Sequence, residues 1–430
     1  MNNLRPFQVK GVNHLTSGAR RLLLDDPGLG KTAQAVAAMT KLGATRSLVI
    51  CPAATRYSWA DEVTRWSGGK LKPHVVLTTT EWLPDDPRLV IIMSYNTVLS
   101  PMIHRQLMER RWPVLVVDEI HFCANPKSKR TKLILGAKGL IAQAVYLWGL
   151  TGTPMTNRPI DLWPMLAAMA KADLAPYDNW FKYTGRYCQR YNAPWGVDVS
   201  GASNVEELGE KMFRRVALRR CKEDVLPELP ARAYRFVTLE PKKRISRHWD
   251  ESLNIDDIAA GKGSGADLMR MRYEVGMEKL GQVIEYILYV LETEKSVVVF
   301  AWHKDVVRIL QIALLLENHQ PVMYYGDTST ADKEKAKRDF IEGRANVFIA
   351  NIVAAGTGMD GLQKACSHAI YAEVPWTYTG IMQSTDRLWR MGQTRGVISD
   401  IVTLKGSVED RVLRAIFQKK EIQERLLTSG

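Results

Sequence analysis

One short loop carries residues of the types that bind a phosphate ester. The sequence Asp-Asp-Pro-Gly-Leu-Gly-Lys-Thr occupies positions 25–32, between an apolar run and a helical-looking stretch at 33–39. Glycines let backbone N–H groups close around phosphates, and the start of a helix adds a positive dipole. Lys31 would reach the β and γ phosphates of a nucleotide, and the Thr32 hydroxyl would bind Mg²⁺. The strict pattern has glycine where this chain has Asp25, so an ordinary glycine-rich turn is the alternative.

Two carboxylates farther along the chain could complete this chemistry. A buried-strand pattern at 114–117 ends in the sequence Asp-Glu-Ile-His at 118–121. The carboxyl ends of strands are where α/β sheets bind ligands. Asp118 can hold Mg²⁺, directly or through water, while Glu119 can orient and deprotonate an attacking water. An isolated Asp-Glu pair is ordinarily part of a solvated loop, but the Lys31 loop upstream favours a nucleotide hydrolase.

The elements that must position these residues come in two series. Short β-branched runs alternate with longer helical patterns, which is typical of parallel sheets built from βαβ units. The first series of strand-like runs lies at 22–24, 47–51, 90–93, 114–117 and 144–147. The second series lies at 297–300, 322–324, 347–349, 369–371 and 398–402. We therefore predict an α/β protein with two tandem lobes, each a mainly parallel sheet flanked by helices.

A basic, helical-looking segment separates the two series. It spans 158–231 and closes with Pro227 and Pro230, which are typical of the end of a domain. We predict lobe 1 at 1–157 with the nucleotide loop, a helical extension and connector at 158–231, and lobe 2 at 232–430. The sequence Gly-Lys-Gly-Ser-Gly at 261–265 has the composition of a flexible loop.

Composition narrows the class of partner and the compartment. The 430 residues predict two or three domains, and 46% apolar with 24% charged residues is typical of a globular chain. Lys and Arg outnumber Asp and Glu by 59 to 46, which favours a polyanion such as nucleic acid, although many basic proteins bind none. The five cysteines form no C-x-x-C pair, which argues against a zinc site or a disulfide framework. With no apolar leader, we expect a cytoplasmic location, nucleoid-associated in a bacterial or viral setting.

The order of the motifs resembles the Snf-type branch of the superfamily-two helicases. This resemblance implies RecA-like lobes, ATP and Mg²⁺ as cofactors, and a DEAH-type box at 118–121. The segments that resemble the family's other motifs are the opening segment at 4–8, the phosphate–DNA coupling segment at 150–154, the lobe connector from 218–220 to 229–230, the DNA- and nucleotide-touching loop at 355–358 and the arginine motif at 383–393.

Two segments resemble the annealing-helicase, or HepA-related, subgroup of that branch. They are Tyr-Asn-Ala-Pro-Trp-Gly at 191–196 and Tyr-Ala-Glu-Val-Pro-Trp at 371–376. Three residues depart from the family pattern: Ile120 replaces a small residue, Trp389 replaces a common His, and Asp360 replaces a common Asn. These departures bear on substrate coupling more than on ATP hydrolysis.

Two arginines in the second series could act on the nucleotide. Arg387 and Arg390 are three positions apart and would share one face of a helix. Phosphoryl transfer spreads negative charge over the γ oxygens, and a guanidinium from a second lobe would stabilise it when a cleft closes. A solvated basic helix is the alternative interpretation.

The predicted site residues fall into a nucleotide set and a DNA set. Those that would hold the nucleotide and Mg²⁺ or act in catalysis are Gln8, Asp26, Pro27, Gly28, Leu29, Gly30, Lys31, Thr32, Asp118, Glu119, Gly358, Asp360, Arg387 and Arg390. Of these, Gln8 is assigned to the adenine edge by the family resemblance. The family resemblance also implies that Thr55, Ser94 and Thr153 contact double-stranded DNA, and Arg219 and Arg220 belong to a basic cluster that would contact its phosphates. Basic clusters at 214–222 and 127–132 suit phosphate contacts, which carry no sequence code.

These observations predict a DNA-dependent ATPase that translocates on double-stranded DNA and remodels DNA or protein–DNA complexes, with annealing or fork remodelling as a candidate outcome. A strand-separating DNA or RNA helicase uses the same engine. Asp386 weighs against the RNA helicases, which usually have Gly before the arginine. A catalytically silent DNA-binding scaffold is a third reading, and the joint presence of the catalytic set argues against it.

Overall fold

A computed structural model divides the chain into two units. The structure describes residues 4–44, 46–155, 158–194, 196–241, 266–326, 328–352 and 359–427. The first unit comprises Met1–Val225 and Glu421–Gly430, and the second comprises Leu226–Lys420.

The first unit is built on a seven-stranded sheet whose neighbouring strands all run parallel. The strands are β1 (Arg20–Leu23), β2 (Ser47–Cys51), β3 (Lys72–Val75), β4 (Leu89–Ser94), β5 (Trp112–Asp118), β6 (Ala144–Leu150) and β9 (Ala217–Leu218). Their order in the sheet is β3-β4-β2-β5-β6-β1-β9. A separate antiparallel hairpin pairs β7 (Tyr191–Ala193) with β8 (Gly196–Asp198).

Helices cover both faces of this sheet. They are α1 (Pro6–Thr16), α2 (Lys31–Lys41), α3 (Arg56–Trp66), α4 (Tyr95–Val98), α5 (Pro101–Met108), α6 (Lys129–Leu135), α7 (Trp163–Met169), α8 (Trp180–Tyr187), α9 (Val205–Arg215) and α10 (Lys222–Val225). Successive strand residues enter opposite cores: Leu48 and Ile50 pack in one hydrophobic cluster and Val49 in the other. A strand buried on both faces needs a continuous apolar run, which explains the run at 47–51.

The second unit has a six-stranded parallel sheet of its own, in the order β10-β15-β14-β11-β13-β12. The strands are β10 (Arg232–Leu239), β11 (Val297–Ala301), β12 (Pro321–Tyr324), β13 (Val347–Asn351), β14 (His368–Tyr371) and β15 (Val397–Leu404). The helices are α11 (Ala266–Leu291), α12 (Lys304–Leu316), α13 (Thr330–Ile341), α14 (Tyr378–Thr385) and α15 (Val408–Leu427). Short 3₁₀ turns across both units lie at Ala53–Thr55, Ile120–Cys123, Leu140–Gln143, Pro159–Leu162, Lys171–Leu174 and Leu362–Lys364.

A buried carboxylate ties three elements of the second unit together. Asp400 on β15 is fully buried and accepts hydrogen bonds from Arg235 (2.6 and 2.8 Å), His368 (2.6 Å) and Tyr286 (2.8 Å). Burial alone would raise the pKa of Asp400, but the hydrogen bonds from these three neighbours outweigh it and lower the pKa to about 2. The ionised carboxylate therefore stabilises the fold.

The structure confirms the predicted fold class of two α/β lobes with mainly parallel sheets. All ten predicted strands are present, while β3, β9, β10 and the β7–β8 hairpin were not predicted. The three-part division at 157 and 231 stays a prediction; residues 158–225 pack in the first unit, where Leu22 pairs with Ala217 across β1 and β9. The loop predicted at 261–265 lies outside the described residues. In the part of the chain that the structure describes, no helix is long and apolar enough to cross a membrane.

Candidate active site

The glycine-containing loop has the shape of an anion cradle. It follows β1, and α2 begins at Lys31 with Gly30 as its N-cap residue. Gly28 (φ 87°) and Gly30 (φ 75°) adopt the left-handed conformation that glycine reaches without strain. A side chain at Gly30 would be strained by this φ, and its Cβ would lie 2.6 Å from Nε2 of Gln8 unless that side chain moved. No side chain caps α2, which leaves its first N–H groups for a ligand.

Lys31 lies across this loop. Its ammonium donates to the backbone carbonyls of Asp25 (2.7 Å) and Asp26 (3.3 Å), and the half-buried Thr32 follows it on α2. A Cβ on Gly152 would lie 2.7 Å from Pro27 Cδ, so the segment after β6 packs directly on the loop. Glycine at 152 permits this close approach.

The acidic pair lies at the carboxyl end of β5, as the sequence predicts. Asp118 accepts from Nε1 of Trp59 at 2.8 Å and from the backbone N of Glu119 at 3.1 Å. Glu119 Oε2 accepts from Oγ1 of Thr151 at 2.9 Å and lies 3.2 Å from Nδ1 of His121. Nδ1 of His121 also lies 2.8 Å from Oγ1 of Thr151. Thr151 and His121 together hold Glu119 in one orientation.

The two carboxylates have opposite electrostatic environments. Burial, together with the neighbouring charge of Glu119, raises the pKa of Asp118. Burial would also raise the pKa of Glu119, but the hydrogen bond and charge of His121, the charge of Lys31 and the Thr151 hydroxyl lower it. The charge of Lys31 lowers the pKa of both carboxyls, so it acts on the same site.

The residues present fit a nucleotide-bound magnesium ion. Among the described residues no group of three or more His, Cys, Asp or Glu side chains could hold a metal by itself. Mg²⁺ in nucleotide sites takes one or two protein oxygens, with phosphate oxygens and water completing its shell. Thr32 and Asp118 would supply those protein oxygens, and the ion would neutralise charge on the phosphates.

Gln8 joins α1 to the nucleotide loop. Its Nε2 donates to the Leu29 carbonyl at 3.2 Å, and its Oε1 accepts from the backbone N of Arg5 at 2.9 Å. A cavity of about 370 Å³ opens beside this end of α1, and it is lined by Arg5, Pro6, Phe7, Lys10 and Val225. An aromatic ring and two cations suit a nucleobase with its phosphates, and the adenine contact of Gln8 stays a prediction.

Arg387 and Arg390 do not share a helical face, and that prediction is wrong. Helix α14 ends at Thr385, and both arginines lie in the turns that follow. Leu388 and Trp389, which lie between the two arginines, are both buried.

The two arginines nevertheless converge on one carboxylate. Arg387 Nη1 lies 3.3 Å from Oδ1 of Asp360, and Arg390 contacts the same oxygen. Burial would raise the pKa of Asp360, but these two guanidinium groups lower it. Gly358, predicted to contact the nucleotide, lies outside the described residues. The structure thus brings three of the predicted residues of the second unit together.

The predicted DNA contacts of three hydroxyl residues stay predictions. Ser94 is 5% exposed and caps α4 by accepting from the backbone N of Thr97 at 3.1 Å. Thr55 is half-buried and donates to the Pro52 carbonyl at 3.0 Å. Thr153 is fully buried, and no hydrogen bond from its hydroxyl is seen in the described residues.

Arg219 and Arg220 are held by the two aspartates of the nucleotide loop. Arg220 donates from Nε to Oδ1 of Asp25 at 2.9 Å and from Nη2 to Oδ2 at 2.5 Å. Arg219 lies 3.4 Å from Asp26, whose other oxygen accepts from the backbone N of Lys222 at 3.1 Å. The aspartate at position 25 therefore anchors the connector segment to the loop. The DNA contacts of both arginines and the nucleotide contact of Asp26 stay predictions.

Several residues of the site were not predicted from the sequence. Trp59 and Tyr95 belong to α3 and α4, and Tyr95 donates to the backbone carbonyl of Asp118 at 2.7 Å. Gln34 donates to Asp25 at 3.1 Å. No local pattern marks these three residues. The aspartate at position 25, where glycine is usual, indicated that a cation pairs with it, and that cation is Arg220.

The chain has two α/β units, each with a parallel sheet, and the first unit holds a phosphate cradle beside an acidic pair. These features define a helicase-like nucleotide-binding protein. The SNF2-related domain matches residues 7–285, and the helicase conserved C-terminal domain matches residues 278–392. The chain belongs to the SNF2-related family, which confirms the resemblance drawn from its motifs.

Two curated relatives are similar to this chain, and one solved structure aligns with it. The chain is similar to the SWI/SNF-related matrix-associated actin-dependent regulator of chromatin subfamily A-like protein 1 of Xenopus tropicalis, with 30% identity over 431 residues. This alignment covers 98% of the chain and 44% of the Xenopus protein. It is 26% identical over 439 residues to the DNA annealing helicase and endonuclease ZRANB3 of Mus musculus, covering 97% and 40%. The Sulfolobus solfataricus SWI2/SNF2 ATPase core in complex with dsDNA aligns over 100% of this chain and 93% of its own, with 21% identity and a TM-score of 0.46. The chain spans less than half the length of the two curated relatives.

Proposed function

We propose that this chain is a DNA-dependent ATPase that translocates on double-stranded DNA and remodels DNA or protein–DNA complexes, with annealing or fork remodelling as the outcome. The observation that carries the proposal is the convergence of Lys31, Asp118 and Glu119 at one site of the first unit. The family and the relatives, one of them named a DNA annealing helicase, support it. ATP and Mg²⁺ are the proposed cofactors.

In this proposal each residue has a distinct task. Lys31 and the N–H groups at the start of α2 hold the β and γ phosphates. Thr32 and Asp118 hold Mg²⁺, and Glu119, held by Thr151 and His121, orients and deprotonates the attacking water. Arg387 and Arg390 stabilise the charge that develops on the γ oxygens. DNA stimulates hydrolysis by favouring the arrangement in which those arginines reach the phosphate.

Phosphate release with blunt duplex, forked DNA, single-stranded DNA and RNA tests the activity. Lys31→Ala should abolish hydrolysis, whereas Glu119→Gln should keep ATP binding and lose turnover. The exposed Lys70 and Glu109 offer matched controls, since Lys70→Ala and Glu109→Gln remove the same groups from the surface. Near-normal duplex-stimulated turnover in Lys31→Ala would refute the site. Stimulation by RNA or by single strands alone would favour the strand-separating alternatives.

A triplex-displacement assay tests translocation without strand separation. We expect the wild type to displace the third strand while leaving a tailed duplex paired. Unwinding of the tailed duplex without triplex displacement would contradict translocation on duplex DNA. A cytoplasmic or nucleoid-associated location is part of this proposal, and fluorescence microscopy of a tagged chain checks it.

A further inference from the structure

The backbone of Glu119 has a conformation that its surroundings must stabilise. Its φ of 52° and ψ of 52° lie in the left-handed region, which costs free energy for a residue with a Cβ. The contacts with Thr151 and His121 fix the carboxylate of Glu119 and leave its backbone unsupported. A strained conformation persists only where neighbouring groups hold it, so the acidic pair needs a support for its main chain.

Tyr95 supplies this support. It is the first residue of α4 and is buried, and its hydroxyl donates to the backbone carbonyls of Asp118 at 2.7 Å and of Glu119 at 3.1 Å. These two carbonyls lie on either side of the Glu119 Cα, so the distance between their oxygens depends on the φ and ψ of Glu119. A single hydroxyl that contacts both oxygens therefore favours the left-handed conformation.

A cation from the basic cluster at 127–132 covers the ring of Tyr95. The Arg130 guanidinium lies 5.1 Å from the centroid of this ring and 5.8 Å from the centroid of the Phe122 ring. Phe122 in turn packs edge-on against Tyr95, with the two centroids 5.5 Å apart. Because a cation is attracted to an aromatic face, the position of Arg130 bears directly on the position of the Tyr95 ring.

Arg130 has donors that could bind an anion. In the part of the chain that the structure describes, no hydrogen bond or ion pair of its guanidinium is seen. A guanidinium offers five donors in a planar fork that matches the oxygens of a phosphate. The neighbouring Lys127, Lys129 and Lys132 are exposed, so the surroundings of Arg130 are positive. A backbone phosphate of DNA is the ligand that this chemistry favours.

We propose that Tyr95 is a positioning residue for Glu119 and that Arg130 transmits the binding of a DNA phosphate to it. A phosphate that pairs with Arg130 holds the guanidinium over the Tyr95 ring, and the ring then keeps its hydroxyl on the two carbonyls. DNA thereby binds more tightly to the state in which Glu119 can act on the attacking water, and this difference in affinity couples DNA to turnover. The inference rests on the proposed function and deepens it, because it assigns a route within the first unit by which duplex DNA stimulates hydrolysis.

The experiment measures kcat and the KM for ATP by phosphate release, without DNA and with saturating blunt duplex. Tyr95→Phe keeps the ring and removes the hydroxyl. Its kcat with duplex should fall about 5- to 150-fold, the range of coupling between two sites, while its KM for ATP stays unchanged. Its kcat without DNA should fall as well, because the support of Glu119 is lost in either state.

Arg130→Met tests the transmission of the phosphate contact. This variant removes the charge and keeps an extended side chain, so saturating duplex should not restore the kcat of the wild type. The double variant with Tyr95→Phe should lose no more than Tyr95→Phe alone, because the two residues act in series. Losses of independent residues would instead multiply.

Matched variants separate positioning from folding and from DNA affinity. Tyr183→Phe removes another buried hydroxyl of the first unit, one that donates to the Pro159 carbonyl at 2.7 Å. It should lower the Tm about as much as Tyr95→Phe does and leave kcat unchanged. Lys127→Met removes an exposed cation of the same cluster, and saturating duplex should restore its kcat.

Several results would overturn the inference. They are a wild-type kcat in Tyr95→Phe, a higher KM for ATP in that variant with kcat unchanged, full recovery of Arg130→Met with saturating duplex, and losses that multiply in the double variant. If duplex did not stimulate the wild type, the proposed function would fail. The DNA-free kcat of Tyr95→Phe, compared with that of Tyr183→Phe, would still show whether Tyr95 positions Glu119.

Discussion

The buried ion pair between Arg220 and Asp25 gives the sharpest test of the structure. The sequence predicts that Arg220 contacts DNA, whereas the structure pairs it with a carboxylate that is fully buried. Arg220→Ala would leave Asp25 buried without its cation. Gln34 Nε2, 3.1 Å from Asp25, would remain as a hydrogen-bond donor.

The expected loss of stability follows from this burial. Removing one partner of a buried pair costs about 3–5 kcal/mol, because the remaining charge stays desolvated. We expect a loss of about 3 kcal/mol in the free energy of unfolding, at the lower end of this range, because Gln34 still donates a hydrogen bond to Asp25. This loss corresponds to a drop in Tm of roughly 6–12 °C for a unit of this size. Arg105→Ala is the control, since Arg105 and its partner Glu109 are both exposed and lie 3.7 Å apart. We expect a loss of about 1 kcal/mol or less there.

Calorimetry and duplex binding together provide the assay. Two units can unfold in separate transitions, so the measured quantity is the Tm of the transition that Arg220→Ala shifts. Below that temperature, duplex binding by the variant tests separately whether Arg220 also contacts DNA. A variant with wild-type Tm and clearly weakened duplex binding would refute the structural role and establish Arg220 as a DNA contact. The double change of Arg220→Met with Asp25→Asn should recover part of the stability, because no buried charge remains.

Three further predictions concern the second unit. Arg390→Ala should keep its affinity for ATP and slow turnover on the order of 10³-fold. Arg390→Lys should recover little of this loss, because an ammonium lacks the planar donors of a guanidinium. Turnover of Arg390→Ala that still rises with duplex DNA as in the wild type would contradict this prediction. Asp360→Asn removes the charge that holds both arginines and should raise DNA-free hydrolysis up to about fivefold in a phosphate-release assay, whereas a lower rate would show that Asp360 positions them. Asp400→Asn should lose about 2 kcal/mol in urea unfolding at pH 7. The pKa of Asp400 is lowered to about 2. Its contribution to the free energy of unfolding is therefore present above the unfolded-state pKa near 4 and is lost as pH falls through 2. The difference in unfolding free energy between wild type and Asp400→Asn should narrow below pH 4, and a difference that stays constant would contradict this linkage.

Local signals in the sequence determined the strands and the nucleotide loop. The ten predicted strands are runs of β-branched and apolar residues that a doubly covered parallel sheet requires. The glycines, Lys31 and Thr32 lie within one loop and the helix start that follows it, so their spacing alone indicates a cradle. The acidic pair follows the same logic, because the end of a buried strand is visible in the sequence.

Elements with weak local signals required the tertiary structure. Strand β9 has two residues, Ala217–Leu218, and it exists because β1 offers a free edge with which it pairs. The spacing of Arg387 and Arg390 suits a helix, yet α14 ends at Thr385 and both arginines lie beyond it. Packing outweighs local preference at such positions, because it contributes more free energy than helix propensity does.

The sequence by itself determined which residues could do the chemistry, and only the tertiary structure decided what holds them. Trp59 donates to Asp118 across 59 positions of the chain, and Arg220 donates to Asp25 across 195. These partners meet because sheet order and helix packing bring distant segments to one edge of the sheet. A local pattern records the backbone preference of its own segment, whereas such a contact depends on how the whole chain is folded.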